Sequence, residues 1–511
     1  MSRLENTGKN AIWSTAAKVL YILLGLIGRY AFLQVLSETY LGINSLFASI
    51  VGVLSFADLG LSSAFTFCFY KPIAENDIPH IQALLKAFRK FLYSIAFLIG
   101  VIGIALIPFL RYLIRGGEDI SDTMLVVYYL ITLSNTVLGY WLMYKTIYVT
   151  AAHKAYKLTP FTIGANLLTV VMQIIVLMTM ESYVAWLLCG PLATAVQYII
   201  MNIYMKREFP ELVFKKAGNL PEEDRKSILS NLKGIVLNKL GTLCVTQTDS
   251  IIISSMISIE VTGLLSNYDL IKTSILSIIS VIQSAVTPGI GNLIASEDEK
   301  VQKNVLYTYM LLNYLMIGFA MCGVGILSSP FIALIFGRDR TVDELSVTLM
   351  CAGFYFAYQT HALNSFPIAA GRMILGAWVA FVEGIANLII SIAAVKWIGL
   401  PGVFVGTVLS HFVSYLIKPF PIFRGLYNEK PYTYFAYTLA YFATTMVSYS
   451  LLMILREVII GETVTLMRFA AMAVLTVAVF FGTAWLVWSK TKYGREVIGI
   501  LRQALQMILK K

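Results

Sequence analysis

The stretch ETYLGINSLFASIVGVLSFADLGLSSAF, Glu38 to Phe65, carries one formal charge from Leu41 onward, the carboxylate of Asp58. An ionised group in a membrane span costs at least roughly 2.5–3.5 kcal/mol on insertion scales, so it normally faces a protein partner or a wet cavity. The stretch also starts a repeat. Sliding the chain along itself by 221 positions brings Gly42 onto Gly263, Asn10 onto Asn231, Lys18 onto Lys239 and Asp77 onto Asp298. Ser63, Ala64 and Thr66 fall on Ser284, Ala285 and Thr287. Beyond residue 140 gaps are needed, yet Ala151-Ala152-His153-Lys154 still resembles Ala369-Ala370-Gly371-Arg372, and Ala165-Asn166-Leu167 resembles Ala386-Asn387-Leu388.

Composition fixes the class around this repeat. Of 511 residues 58% are hydrophobic and 13% charged, and the mean hydropathy is +0.76, far too apolar for soluble domains. A bilayer core about 30 Å thick takes about 20 apolar residues per helix. Fourteen such spans are predicted, near 10–36, 40–70, 89–114, 123–148, 158–180, 183–205, 228–257, 262–293, 304–336, 344–370, 372–397, 399–422, 432–455 and 463–488. No segment alternates like a barrel strand. The expected fold is an all-α polytopic membrane protein. Two like-oriented six-helix lobes are followed by two extra C-terminal helices, because six spans per repeat is an even number. The start MSRLENTGKN lacks the short apolar core and cleavage site of a signal peptide.

The predicted divisions are 1–205 (N-lobe), 206–227 (cytoplasmic linker), 228–430 (C-lobe), 431–489 (the two extra spans) and 490–511 (a basic amphipathic tail on the inner leaflet). The net charge of +11 follows Lys and Arg gathered on the segments that share a side with the N-terminus. This is positive-inside placement with both termini cytoplasmic, rather than a nucleic-acid signature. Cys68, Cys189, Cys244, Cys322 and Cys351 sit in apolar spans without metal-ligand spacing and read as small core residues. No cofactor, phosphate-binding loop or HExxH is present, and no loop is long enough for a glycosyltransferase domain, so the chain does not read as an enzyme.

The segment LGINSLFASIVGVLSFADLGLSSAFTFCFYKPIAEND, with Tyr70-Lys71-Pro72 and an acidic turn, and its counterpart SAVTPGIGNLIASEDEK resemble the second and eighth spans of Wzx-type polysaccharide flippases. These belong to the multidrug/oligosaccharidyl-lipid/polysaccharide exporter superfamily. The resemblance implies a central cavity lined mainly by spans 1, 2, 7 and 8 that opens alternately to each side. The implied cargo is an oligosaccharide on undecaprenyl diphosphate, handled in a bacterial cytoplasmic membrane beside polysaccharide polymerase and glycosyltransferases. Peptidoglycan-precursor flippases and drug/cation antiporters of the same superfamily are the alternatives.

A lipid diphosphate needs a hydrated path with positive charge. Six cations fall within spans: Lys18, Arg29, Lys233, Lys239, Lys272 and Arg468. Lys18 and Arg29 are three helical turns apart on one face, Arg29 near mid-membrane and Lys18 in the cytoplasmic third. Arg29, Lys18, Lys239 and Asp58 are therefore the candidate substrate-binding residues, with Asp58 as a partner of Lys18. Fixed ion pairs and snorkelling to the interface are the competing readings. In the second half Asp249, Asp269 with Lys272, Glu383 and Asn387 reach similar depth and are the candidates for Na+ or H+ coupling, against a structural Asp249–Lys272 pair. His361 and His411 read as packing residues.

Overall fold

In hydrocarbon every backbone polar group must be paired within its own segment, which helices achieve. The computed structural model describes residues 3–55, 61–212, 218, 220, 222, 224, 240–241, 243–372, 375–461 and 463–509. Among them there is no strand. The first helices are α1 (Arg3–Val35), α2 (Glu38–Leu54), α3 (Leu61–Glu75), α4 (Ile78–Ala105), α5 (Asp122–Gly139), α6 (Met143–Ala151), α7 (Thr159–Met180), α8 (Tyr183–Glu208), α9 (Thr248–Met256) and α10 (Ile259–Ser296). There follow α11 (Glu299–Ile335), α12 (Glu344–Gln359), α13 (His361–Ala369), α14 (Ala377–Ile398), α15 (Leu400–Ile417), α16 (Pro419–Tyr427), α17 (Tyr432–Ile459), α18 (Leu466–Trp488) and α19 (Lys492–Leu509).

By length and composition, ten spans among the described residues are long and apolar enough to cross a bilayer, built on α1, α4, α7, α8, α10, α11, α14, α15, α17 and α18. The pair α5 and α6, bent by 42°, makes an eleventh. At the bend Tyr140 and Trp141 donate to Val137 and Leu138, a tightened i to i−3 turn. Of the other three expected spans, two run over residues outside the described set and the third is broken. Near 40–70, α2 and α3 flank residues 56–60, which lie outside the described residues. Of 228–257 only α9 and a short stretch before it are described. Near 344–370, α12 gives way to α13 at Thr360, whose hydroxyl turns back onto the Ala357 carbonyl at 3.1 Å. Such back-bonding bends helices.

Internal packing divides the chain into two units, Met1–Ser266 and Asn267–Lys511. This boundary lies later than the break between the sequence repeats, because α9 and the first turns of α10 pack on α2. In the first unit α1, α7 and α8 pack together, and aromatic rings fill one junction, with Phe32 4.8 Å from Trp186 and Tyr183 4.7 Å from Tyr128. In the second unit α11 is enclosed by α12, α17 and α18. Tyr314 stacks on Tyr441 at 4.6 Å beside Phe480 and Trp488. The α14–α15 hairpin is closer still. A Cβ at Gly406 would lie 2.1 Å from the Ser391 hydroxyl oxygen, and one at Gly402 2.5 Å from the Ala394 carbonyl.

The repeat read from the sequence recurs in local structure. Asp77 caps α4 through the amide of His80 at 3.1 Å, and Asp298 caps α11 through that of Val301 at 2.9 Å. Each places a carboxylate on orphan donors at a helix N-terminus. Thr66 and Thr287 both bond back to the carbonyl four residues earlier. His153 and Gly371 both take a left-handed conformation, with φ of 57° and 68°. The next residues, Lys154 and Arg372, donate to Val149 and Pro367 at 3.0 and 2.8 Å. Only Gly enters that region freely, so the first repeat strains a histidine where the second relaxes the turn.

Candidate functional site

The offset of 221 reappears at the start of α2 and α10. Gly42 faces Ile259, and Gly263 faces Glu38. A Cβ at Gly42 would lie 1.9 Å from the Ile259 carbonyl oxygen, and one at Gly263 2.1 Å from the Glu38 carbonyl oxygen. Residues 38 and 259 are themselves one repeat apart, so the crossing is self-complementary, as a twofold relation requires. Glycine lets the two backbones touch. A clasp surrounds the crossing. The Arg115 amide donates to the Ser254 carbonyl at 2.8 Å, Ile259 donates to the Arg115 carbonyl at 2.9 Å, and the Arg115 guanidinium reaches the Met256 carbonyl at 2.7 Å. The Glu260 carboxylate accepts from the Gly117 amide at 3.2 Å and from the Ser258 hydroxyl.

Beyond this crossing lies Arg29. It is half-buried, and its guanidinium donates to the buried hydroxyl of Ser266 at 2.6 Å. That hydroxyl in turn donates to the Gly263 carbonyl at 2.6 Å. A chain of hydrogen bonds therefore ties Arg29 to the glycine crossing. Lys18 is half-buried on the same helix. Asp58 and Lys239, named with these residues from the sequence, lie outside the described residues, as does Lys233. Asp249 is half-buried in the first turn of α9, where a carboxylate favours the helix N-terminus.

The second unit holds the remaining candidates. Lys272 and Asp269 form an i, i+3 pair with N···O 2.5 Å. Glu383 on α14 is hydrogen-bonded to Nδ1 of His411 on α15, and both side chains are largely enclosed. Lys418, at the α15–α16 junction, is buried within electrostatic reach of Glu383. Asn387, one turn from Glu383, is fully buried and donates to the Thr407 hydroxyl at 3.1 Å, while its Oδ1 has no hydrogen-bond partner among the described residues. No group of three His, Cys, Asp or Glu suited to a metal ion occurs among the described residues. His411, read from the sequence as a packing residue, is thus a partner of a candidate carboxylate. His361 is the packing residue expected, 3.4 Å from the Tyr309 hydroxyl. The signal for His411 is its position, since Glu383 lies 16 residues before the Gly399 turn and His411 12 after it, about one helical turn apart in depth.

Residues 7–294 match the family model described as polysaccharide biosynthesis protein. A search of curated proteins finds no match. Among solved structures the chain is similar to lipid II flippase MurJ in an inward closed conformation, with TM-score 0.67 and 12% identity over 93% of this chain and 99% of that one. It is also similar to an inward-facing MATE multidrug transporter of the MOP superfamily (TM-score 0.60, 13% identity, 80% and 96% covered). The Vibrio cholerae MATE transporter VcmN is a third match (TM-score 0.56, 12% identity, 84% and 100% covered). At these identities the likeness establishes the fold.

Proposed function

This chain belongs to the polysaccharide biosynthesis protein family, and from that premise we propose that it is a flippase. It moves undecaprenyl-diphosphate-linked oligosaccharide from the inner to the outer leaflet of a bacterial cytoplasmic membrane by alternating access. Both termini are cytoplasmic, and polymerase and glycosyltransferases act on either side of the step. The family match carries the reading. The chain is a multi-pass membrane protein with the fold of MOP-superfamily transporters, and the geometry around Arg29 supports an anionic cargo over a cationic drug.

Arg29 is suited to a diphosphate because its planar fork can hold two phosphate oxygens, and a guanidinium is less strongly hydrated than an ammonium. Ser266 aligns that fork by holding one of its nitrogens. Lys18 and Lys239 act as mobile charges that draw the headgroup inward, with Asp58 tempering Lys18. For coupling, the Glu383–His411 pair supports H+ over Na+. An imidazole on the carboxylate reduces the oxygen set that a hard cation requires and adds a ring nitrogen that can accept a proton. Asn387 orients this site, whereas Asp249, Asp269 and Lys272 serve helix termini and pairing.

The test is a flipping assay in proteoliposomes with fluorescent undecaprenyl-diphosphate oligosaccharide, under imposed proton or sodium gradients. Arg29→Ala abolishes flipping and Arg29→Lys impairs it, with both variants folded. Wild-type rates in folded Arg29→Ala overturn the diphosphate role. Movement of lipid II instead assigns the chain to peptidoglycan-precursor transport, and movement of a cationic dye alone makes it an antiporter.

A further inference from the structure

A groove of about 560 Å³ runs along the surface of α4 and the end of α5 in the first unit. Tyr93, Phe97, Gly100, Ile104, Val137 and Trp141 are among its lining residues. Its size is that of a ligand pocket. From Tyr93 to Ile104 it extends about 16 Å at 1.5 Å rise per residue. Its wall is apolar and open, with Phe97 73% and Ile104 58% exposed. The bend between α5 and α6 interrupts the helix surface beside it.

Beyond the Tyr93–Trp141 end of the groove, outside its lining, lies a group of cations. Arg89, one turn before Tyr93, lies within hydrogen-bonding reach of Tyr144, which follows the bend. Lys145 is 5% exposed, and its ammonium donates to the Asn202 amide oxygen at 2.5 Å. The charged neighbours that act on Lys145 are Arg89 and Lys206, both positive. The nearby carboxylates are engaged elsewhere, Glu208 by Lys157 and Glu211 by the Tyr148 hydroxyl at 2.7 Å. Among the described residues no carboxylate forms an ion pair with Lys145. With the N-terminus inside, this end is cytoplasmic, and Tyr93, Trp141 and Tyr144 stand at interfacial depth, where amphipathic rings collect.

We infer that this groove binds an anionic phospholipid of the inner leaflet, with its phosphate on Arg89 and Lys206, backed by the buried charge of Lys145, and an acyl chain along Phe97, Gly100 and Ile104. Two independent features converge here: an apolar track of chain length, and at its interfacial end a buried lysine held beside two further cations. Basic pockets between transmembrane helices on the cytoplasmic side recognise lipid headgroups in this manner. A zwitterionic lipid gains less, because its ammonium group meets the same cations. The site belongs to the first unit alone and is independent of the cargo reading above.

Gly100 supplies the decisive variant, because a Cβ there meets nothing within 4 Å. A phenylalanine at that position starts from open space and projects its ring over the groove. Full-length protein is equilibrated in detergent with equal phosphatidylglycerol and phosphatidylcholine, and bound lipid is read by native mass spectrometry. Wild type retains phosphatidylglycerol about tenfold over phosphatidylcholine, as expected from a few cations near a headgroup. Gly100→Phe, and separately Arg89→Gln with Lys206→Gln, each remove most of that preference while the thermal unfolding midpoint of Gly100→Phe stays at the wild-type value. Equal retention of the two lipids overturns the inference, as does undiminished binding in folded Gly100→Phe. Displacement by millimolar inorganic phosphate reduces the site to a free-anion site and refutes it. Preference for undecaprenyl phosphate over phosphatidylglycerol refutes it in favour of the carrier.

Discussion

Replacing Gly42 by alanine sets a methyl group 1.9 Å from the Ile259 carbonyl oxygen, so α2 and α10 must part by at least 1.1 Å there to reach 3.0 Å. Backbone cannot swing aside as a side chain can, and overpacking of this kind costs about 1–3 kcal/mol. That energy lowers the population of the touching arrangement relative to a parted one by about 5- to 150-fold. Ile259 is fully buried, so an Ile259→Cys thiol reports the change. Labelling by a membrane-impermeant maleimide should be slow in the parent and faster by that factor with Gly42→Ala added. The native cysteines among the described residues are buried or half-buried and contribute a low background. Gly263→Ala should act in the same direction, needing 0.9 Å to move from 2.1 to 3.0 Å. The double variant should fall short of the sum, since one opening relieves both contacts. Gly52→Ala is the control: its Cβ would meet only the movable amide end of Gln247 at 2.7 Å. Unchanged labelling in Gly42→Ala, with an unchanged unfolding midpoint, would refute the reasoning.

Glu260→Ala removes the acceptor for the Gly117 amide and the Ser258 hydroxyl, and should lower stability by about 1–3 kcal/mol in thermal unfolding in detergent. Glu383→Ala strands His411 within the membrane, whereas Glu383→Gln keeps a hydrogen-bonding group beside it. The alanine variant should unfold at lower temperature than the glutamine variant, and equal midpoints would show that the pair contributes nothing. Glu496→Ala leaves Asn304 and Thr308 without the carboxylate they share. It should cost about 1.5–3 kcal/mol of α19 docking, seen as faster trypsin cleavage at Arg495 or Arg502 in otherwise folded protein.

Residue types recorded the class and the repeat, because burial in lipid and duplication both act on composition. The pairs found by sliding the chain, Gly42 with Gly263 and Asp77 with Asp298, perform matching roles in the structure, one at a helix crossing and one as helix caps. The breaks were hidden. Leu138, Tyr140 and Trp141 are as apolar as their neighbours, so nothing in hydropathy marks the turn between α5 and α6. Arg29 stood out by charge, but its partner Ser266 is one serine among many and gave no signal. Glu383 is legible by depth, whereas a lone histidine in a span carries no signal of its own and His411 gains one only from the carboxylate across the Gly399 turn. For α19, expected from the sequence on the inner leaflet, Val497 is buried in the core of the second unit. The docking contacts come from Tyr493, which lies 5.5 Å from the Tyr307 ring, and from Glu496, neither of which belongs to the basic or aliphatic pattern. Beyond Val497, Ile500 and Leu501 emerge half-exposed on the same helix.

The enclosure of α11 has a consequence for biogenesis. Its glycines and tyrosines are covered by side chains that the ribosome supplies much later: Gly325 by Tyr449, Gly318 by Phe480, and Tyr314 by Tyr441 and Trp488. At about 5–20 residues per second, the interval between completing α11 and starting α18 is on the order of ten seconds. During that time a helix with buried hydroxyls and a notched surface stands in the membrane without its cover. It must be sheltered by the insertion machinery or by transient neighbours, and a ribosome that stalls before Leu466 releases a chain whose α11 is open to quality-control proteases.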